Sequence, residues 1–294
     1  MARRSLKVAV VLSLVLSASC QPLKQSPQLS LAEGSVQLGT LNQHYRRVGQ
    51  GPPLLLLHGL TNTWRVWRPY LGPLSGSHEL LVPDMRGHGD TRNPSGTFSV
   101  VQVAQDMFAL LDGLRVDRVQ IIGYSFGGHV ALRMAALQPE RVEAMIVIAG
   151  AHQLNSAARQ VHEEIGRADL PANWWLKEVS TWHPGGEAQV RDLWRQGVAS
   201  VLAEGFAMSE ASMAAIRART LIIQGDRDEI FPLEVPLDMY RRIKAAQLWI
   251  IPKGTHSALF WQDVAPAGTD IGGSPAAQKL LPELVGTFLN RAGR

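Results

Sequence analysis

Two periodicities alternate along the chain. Short, almost unbroken apolar runs occur at 53–57 (PLLLL), 80–82, 119–122, 144–148, 220–224 and 248–251. Runs of this length, bounded by glycine, proline or acidic residues, suit strands buried on both faces of a parallel sheet. Between them apolar residues recur at helical spacing, most clearly Val100, Val103, Ala104, Met107, Leu110 and Leu111. A further helix is expected to run from the turn at Ser125 to about Gln138, where Pro139 closes it, and a terminal one over 275–290. Residues 34–48 suggest a hairpin ahead of the first buried strand.

Strands alternating with helices predict an α/β fold, a mostly parallel central sheet flanked by helices. The rhythm fails between Gly150 and Arg219. That stretch is helical in pattern, has no strand run, and holds Trp174, Trp175, Trp182 and Trp194, half of the eight tryptophans. A connection of this length inside one sheet implies a function of its own. The expected organisation is a core of residues 35–150 and 219–294, with 151–218 inserted as a helical cap over the strand ends.

The first 34 residues stand apart. Arg3, Arg4 and Lys7 precede a nearly continuous apolar run over 8–16 and the small-residue stretch Ser17-Ala18-Ser19. This is the pattern of a secretory signal peptide, here 1–19, and it is too short to span a bilayer. Residues 20–34 are polar with two prolines and read as a tether. Cys20 is the single cysteine, so no intramolecular disulfide forms. It sits where the leader would be cut, and two readings stand: lipid attachment to Cys20 as a membrane tether, or plain cleavage and release. Either way the protein is expected to be exported, periplasmic or membrane-anchored, with secretion left open. Without the leader's three basic residues, 26 of the 29 Lys and Arg face 25 Asp and Glu. That near-neutral balance argues against a nucleic-acid partner. The sequence leaves the oligomeric state open.

The chemistry concentrates at strand ends. The run 119–122 feeds into Gly123-Tyr124-Ser125-Phe126-Gly127, a G-x-S-x-G turn in the strand–turn–helix context of a nucleophile elbow. A serine needs a base and a group to orient that base. The run 220–224 leads to Asp226 and Asp228, and 248–251 leads to His256, giving the chain order Ser…Asp…His. No set of His, Cys and acidic residues has metal-ligand spacing, and no cofactor is expected. His162-Glu163-Glu164 lacks a second histidine at helical spacing and reads as a charged helix face.

Four segments, LLLLHGL (54–60), PDMRGHGDT (83–91), GYSFGG (123–128) and QGDRDEIFP with GTHS, together resemble the α/β-hydrolase fold superfamily over nearly all of residues 35–294. The resemblance implies Ser125 as nucleophile, His256 as base, Asp228 as the orienting acid with Asp226 holding the loop, and an oxyanion hole from the backbone N–H groups of Leu60 and Phe126. It implies bracing roles for His58 and His88. Relatives that open epoxides or displace halide use an aspartate where this chain has Ser125. Serine members include esterases, lactonases, carbon–carbon bond hydrolases, acyltransferases and perhydrolases. The expected activity is hydrolysis of a small, hydrophobic carboxylic ester or lactone, with carbon–carbon cleavage or acyl transfer on the same residues as the alternative and a non-catalytic binding module as a further one. Leu60, Trp64, Tyr124, Phe126, Trp174, Trp175 and Phe260 are the expected wall of the substrate site. His152 and His183 are expected to face solvent or substrate.

Overall fold

The structure is a computed structural model, and it describes residues 30–168, 170, 173–203, 206–260 and 275–290. The leader, Cys20 and most of the tether lie outside the described residues, as do residues 261–274 before the terminal helix.

Eight strands form one sheet: β1 (Ala32–Leu38), β2 (Leu41–Val48), β3 (Pro53–Leu57), β4 (Glu79–Pro83), β5 (Val119–Tyr124), β6 (Val142–Ile148), β7 (Arg219–Gly225) and β8 (Ala246–Ile251). Their order is β1-β2-β4-β3-β5-β6-β7-β8. The β1–β2 hairpin is antiparallel, and β2 joins β4 antiparallel; from β4 onward every pairing is parallel. β1 begins at Ala32, so the sheet takes up the last residues of the expected tether.

The unbroken apolar strands follow from burial on both faces. Leu54 and Leu56 point into one core layer, Leu55 and Leu57 into the other, and all four are 0% exposed. Each such leucine contributes about 1.5–3 kcal/mol of burial. One layer is closed by α1 (Arg68–Ser75) and α9 (Pro275–Leu289), the other by α2 (Val100–Gly113), α3 (Phe126–Leu137) and α8 (Glu234–Arg242). α2 starts where Ser99 accepts from the Gln102 N–H, a side-chain N-cap.

Between β6 and β7 the chain forms α4 (Ser156–Arg167), α5 (Trp174–Ser180), α6 (Gly186–Leu202) and α7 (Glu210–Ala214), with no strand among the described residues of that stretch. Asn155, Asn173 and Ser209 each cap the next helix by accepting from a backbone N–H three residues on. α6 packs on both α4 and α5. α1 and α8, whose sequences carry Pro69, Pro73 and Pro236, are not among the expected elements.

Candidate active site

The end of β5 turns into α3 through Ser125, whose backbone adopts φ 52°, ψ −115°. A non-glycine residue there is strained, and such strain persists only where the surroundings enforce it. The surroundings are two glycines. A Cβ on Gly123 would run into the Gly127 carbonyl, and one on Gly127 into the Leu57 carbonyl. The turn therefore closes tightly against β3, and the Ser125 N–H is anchored to the Ile148 carbonyl at 2.8 Å.

A second glycine pair brings the base and acid loops together. Gly225 ends β7 and Gly254 follows β8, and a Cβ on Gly225 would strike the Gly254 backbone. Arg227 N–H donates to the Gly254 carbonyl at 2.8 Å. Asp228 and His256 sit on these two loops. His256 Nε2 is 2.9 Å from Ser125 Oγ, and its Nδ1 is 2.9 and 3.1 Å from the two Asp228 oxygens. Asp228 Oδ1 also accepts from the N–H groups of Ile230 and Phe231, and Oδ2 from Gln224 Nε2 at 2.6 Å. The carboxylate is thus held from both sides while it orients the imidazole. Asp226 is exposed; its backbone N–H donates to the Ile251 carbonyl. The aligned acid is Asp228.

Burial acts to lower the His256 pKa, but the Asp228 charge and hydrogen bond outweigh it, with Glu229 adding, and the net shift is upward from 6.5. The Glu229 carboxylate also accepts the His256 backbone N–H at 3.1 Å.

The loop after β3 passes beside the serine. His58 Nδ1 donates to the Gly59 carbonyl, and its Nε2 accepts the Met85 N–H at 3.0 Å. His88 repeats the arrangement, with Nδ1 donating to the Arg86 carbonyl and Nε2 accepting the Thr61 N–H at 3.0 Å. Each bond pair fixes one neutral tautomer. Burial agrees: it pushes His58 down to about 3 and His88 well below 6.5. Asp84 completes the brace by accepting the Trp64 N–H and pairing with Arg46 at 2.7 Å. Leu60 lies in this loop, and Phe126 opens α3, where the first-turn N–H groups have no intrahelical partner.

Ser125 and His256 open onto a cavity of about 370 Å³ between the strand ends and the cap. Of the expected wall residues, Leu60, Tyr124, Phe126 and Trp175 line it. Three do not. Phe260 is 1% exposed and packs edge-on against Trp67 and Tyr70, where it belongs to the core. Trp64 lies under the Arg46 guanidinium, 4.7 Å from its ring centroid, and Trp174 packs on the core layer beneath α5.

Other lining residues had no sequence signal of their own. They include Asn62, His129, His162, Trp194, Glu229 and Phe231. His129 follows Ser125 by one helical turn, and Phe231 follows Asp228 by three residues, so proximity to the motifs was the available clue. His162 is 5% exposed rather than on a charged surface. His152 and His183 are also buried, at 2% and 4%, and neither lines the cavity. His152 pairs with Asp238 at 3.0 Å, and His183 donates to the Val179 carbonyl and packs near His88.

The cap and the loop after β3 meet at Gly197 of α6. A Cβ there would overlap the Leu60 side chain. Among the described residues no helix is long and apolar enough to cross a membrane, and no group of three or more His, Cys, Asp or Glu side chains is placed to hold a metal ion.

The family model described as the alpha/beta hydrolase fold matches residues 52–176. The chain is 26% identical over 245 residues to the 2-hydroxy-6-oxo-2,4-heptadienoate hydrolase of Pseudomonas putida, covering 75% of this chain and 88% of that one. Among solved structures it is similar to the meta-cleavage product hydrolase of Pseudomonas fluorescens, with a TM-score of 0.65 and 22% identity over 88% of this chain and 98% of that one. It is also similar to the enol-lactonase of Burkholderia xenovorans, with a TM-score of 0.66 and 19% identity over 88% of this chain and all of that one.

Proposed function

We propose that this chain, which belongs to the α/β-hydrolase fold superfamily, cleaves neutral carboxylic esters or lactones through an acyl-serine intermediate. His256 Nε2 takes the Ser125 proton as Oγ attacks the acyl carbon. Asp228 holds the imidazole tautomer and stabilises the imidazolium. The N–H groups of Leu60 and Phe126 receive the developing oxyanion, each donor accelerating the step by about 10²–10³. His256 then returns the proton to the leaving alkoxide. A water activated by the same imidazole releases the acid.

The observation that carries the choice of substrate is the charge of the cavity. Its lining is mostly apolar and aromatic, it includes no Lys or Arg among the described residues, and its one carboxylate is Glu229. An anionic substrate would lose hydration there without gaining a cationic partner. A neutral ester or lactone meets no such cost. Carbon–carbon cleavage on the same residues is the second reading, favoured by the likeness to the heptadienoate hydrolase. By its name that enzyme's substrate carries a carboxylate, which this cavity does not match.

The test compares p-nitrophenyl acetate, butyrate and octanoate with 2-hydroxy-6-oxo-2,4-heptadienoate, in protein from residue 21 and in Ser125→Ala. Ester turnover lost by about 10⁶ in the variant supports the reading. Turnover of the dienoate alone would move the second reading forward. No turnover and no fluorophosphonate labelling of Ser125 would leave a binding module.

The leader supports export, with Cys20 either carrying a lipid or marking a plain cleavage site. Radiolabelled fatty acid should enter the wild type and not Cys20→Ala; an unlabelled wild type would remove the tether.

A further inference from the structure

The cap lines the cavity with the indoles of Trp175 and Trp194, whose N–H groups only donate, and with one side chain that can accept a hydrogen bond and that the acyl-serine chemistry does not use. His162, on α4, lines the cavity and is 5% exposed. Its Nδ1 lies 2.7 Å from the Ala158 carbonyl. A carbonyl only accepts, so Nδ1 carries the proton and Nε2 is left as a lone-pair acceptor. Burial, only partly offset by the Ala158 bond, keeps the ring neutral by lowering its pKa from 6.5.

The position of the ring fixes what that acceptor can reach. His162 and His256 both pack on Phe231, with ring centroids 5.3 and 5.7 Å from it. His129 packs on the same ring at 5.4 Å. His162 therefore lies one aromatic ring away from the His256 imidazole, on the cap side of the cavity. A phenylalanine would fill this site without a polar atom to desolvate. The Ala158 carbonyl is also the i−4 acceptor of an ordinary helix turn, so α4 does not need the imidazole to satisfy it. A neutral acceptor in a cation-free, largely apolar wall selects a neutral donor on an otherwise apolar molecule.

We propose that His162 Nε2 forms a specificity subsite for a hydrogen-bond donor, a hydroxyl or amide N–H on the substrate's acyl chain. The inference deepens the ester and lactone reading and rests on it for the orientation of the acyl chain. It makes hydroxyacyl or amidoacyl compounds the preferred class over plain acyl chains. His162 is a binding residue in this scheme and takes no part in proton transfer.

The experiment separates the subsite from the chemistry by using the Ser125→Ala chain for binding. Methyl hexanoate and its hydroxylated isomers, with the hydroxyl placed in turn at carbons 3 to 6, are titrated by calorimetry, together with an amide analogue bearing one chain N–H. At least one isomer should bind about tenfold more tightly than the plain ester, as a buried acceptor that gains its partner requires. That advantage should vanish in Ser125→Ala/His162→Phe and return in part in Ser125→Ala/His162→Gln, whose side-chain oxygen also accepts. Whether the hydroxyl or the amide series shows the gain identifies the donor. If no analogue outbinds the plain ester, or if the advantage survives His162→Phe while thermal melts show both variants folded, the subsite is overturned. Loss of ester turnover in the parent chain with the binding preference intact would instead overturn the hydrolase reading alone.

Discussion

In the loops after β3 and β4, His58 and His88 are bonded to backbone carbonyls and amides on both ring nitrogens. In the loop after β8, His256 is bonded to a carboxylate on one side and a hydroxyl on the other. His58 and His88 are 0% exposed and the His256 side chain 13%, yet burial lowers the first two and is outweighed at the third. The partner, more than the depth, decides which histidine exchanges protons. Two function as fixed neutral struts for the loop that carries Leu60; the third is poised to accept a proton and to be stabilised once it has it.

The sharpest way to break this contrast is to change the partner. Asp228→Asn should lower kcat by about 10⁴ on a p-nitrophenyl ester, through loss of the tautomer that presents Nε2 to Ser125. A loss below tenfold would mean that another group orients His256. His58→Ala should act on stability instead. It strands the Met85 N–H, while the Gly59 carbonyl keeps the Asn62 N–H, a cost of about 1–3 kcal/mol visible as a lower melting temperature. His256→Ala, measured alongside, should remove activity and leave the melting temperature nearly unchanged.

The two groups also oppose each other in pH. His58 and His88 have folded pKa values below the unfolded 6.5, so between 6.5 and about 3 the unfolded chain binds more protons. Their contribution to stability is therefore present above 6.5 and lost as pH falls through that window. His256 is raised, so its contribution is present below 6.5 and lost as pH rises through its folded value. Melting temperature should fall on acidification below 6.5, and less steeply in His58→Asn. An unaltered slope would show that the titration of His58 does not contribute to acid stability. In the proposed mechanism His256 works as the neutral base, so the acid limb of kcat/KM should lie above 6.5. The smallest effect expected is in Glu229→Gln, which should move that limb downward without abolishing turnover; a limb that stays in place would show that the Glu229 charge does not reach the ring.

The parts readable in the sequence are those written in local pattern. β3 matched its PLLLL run because both faces are buried, and the elbow announced itself because only glycine fits at 123 and 127. The choice of Asp228 over Asp226 rested on resemblance; the geometry shows Asp226 exposed and Asp228 bonded to the imidazole. The cavity wall was much less readable. Tryptophan content marked the cap, but which ring faces the cavity depends on how α5 and α6 pack, and Trp175 and Trp194 line it while Trp174 does not. Polar side chains were misjudged for the same reason. His162 sits in a charged run, His-Glu-Glu, yet its own position on α4 faces inward.

Gly197 has a consequence of a mechanical kind. The cap rides on Leu60 at a glycine of α6, so the α6 backbone meets the Leu60 side chain there with no Cβ between them. One added methyl group must displace the Leu60 side chain, the helix or the loop beneath it, so the seating of the cap and the packing of the loop beside Ser125 are adjusted together. Selection can therefore retune this enzyme at position 197, far along the chain from the triad, without altering any residue that meets the reacting carbonyl.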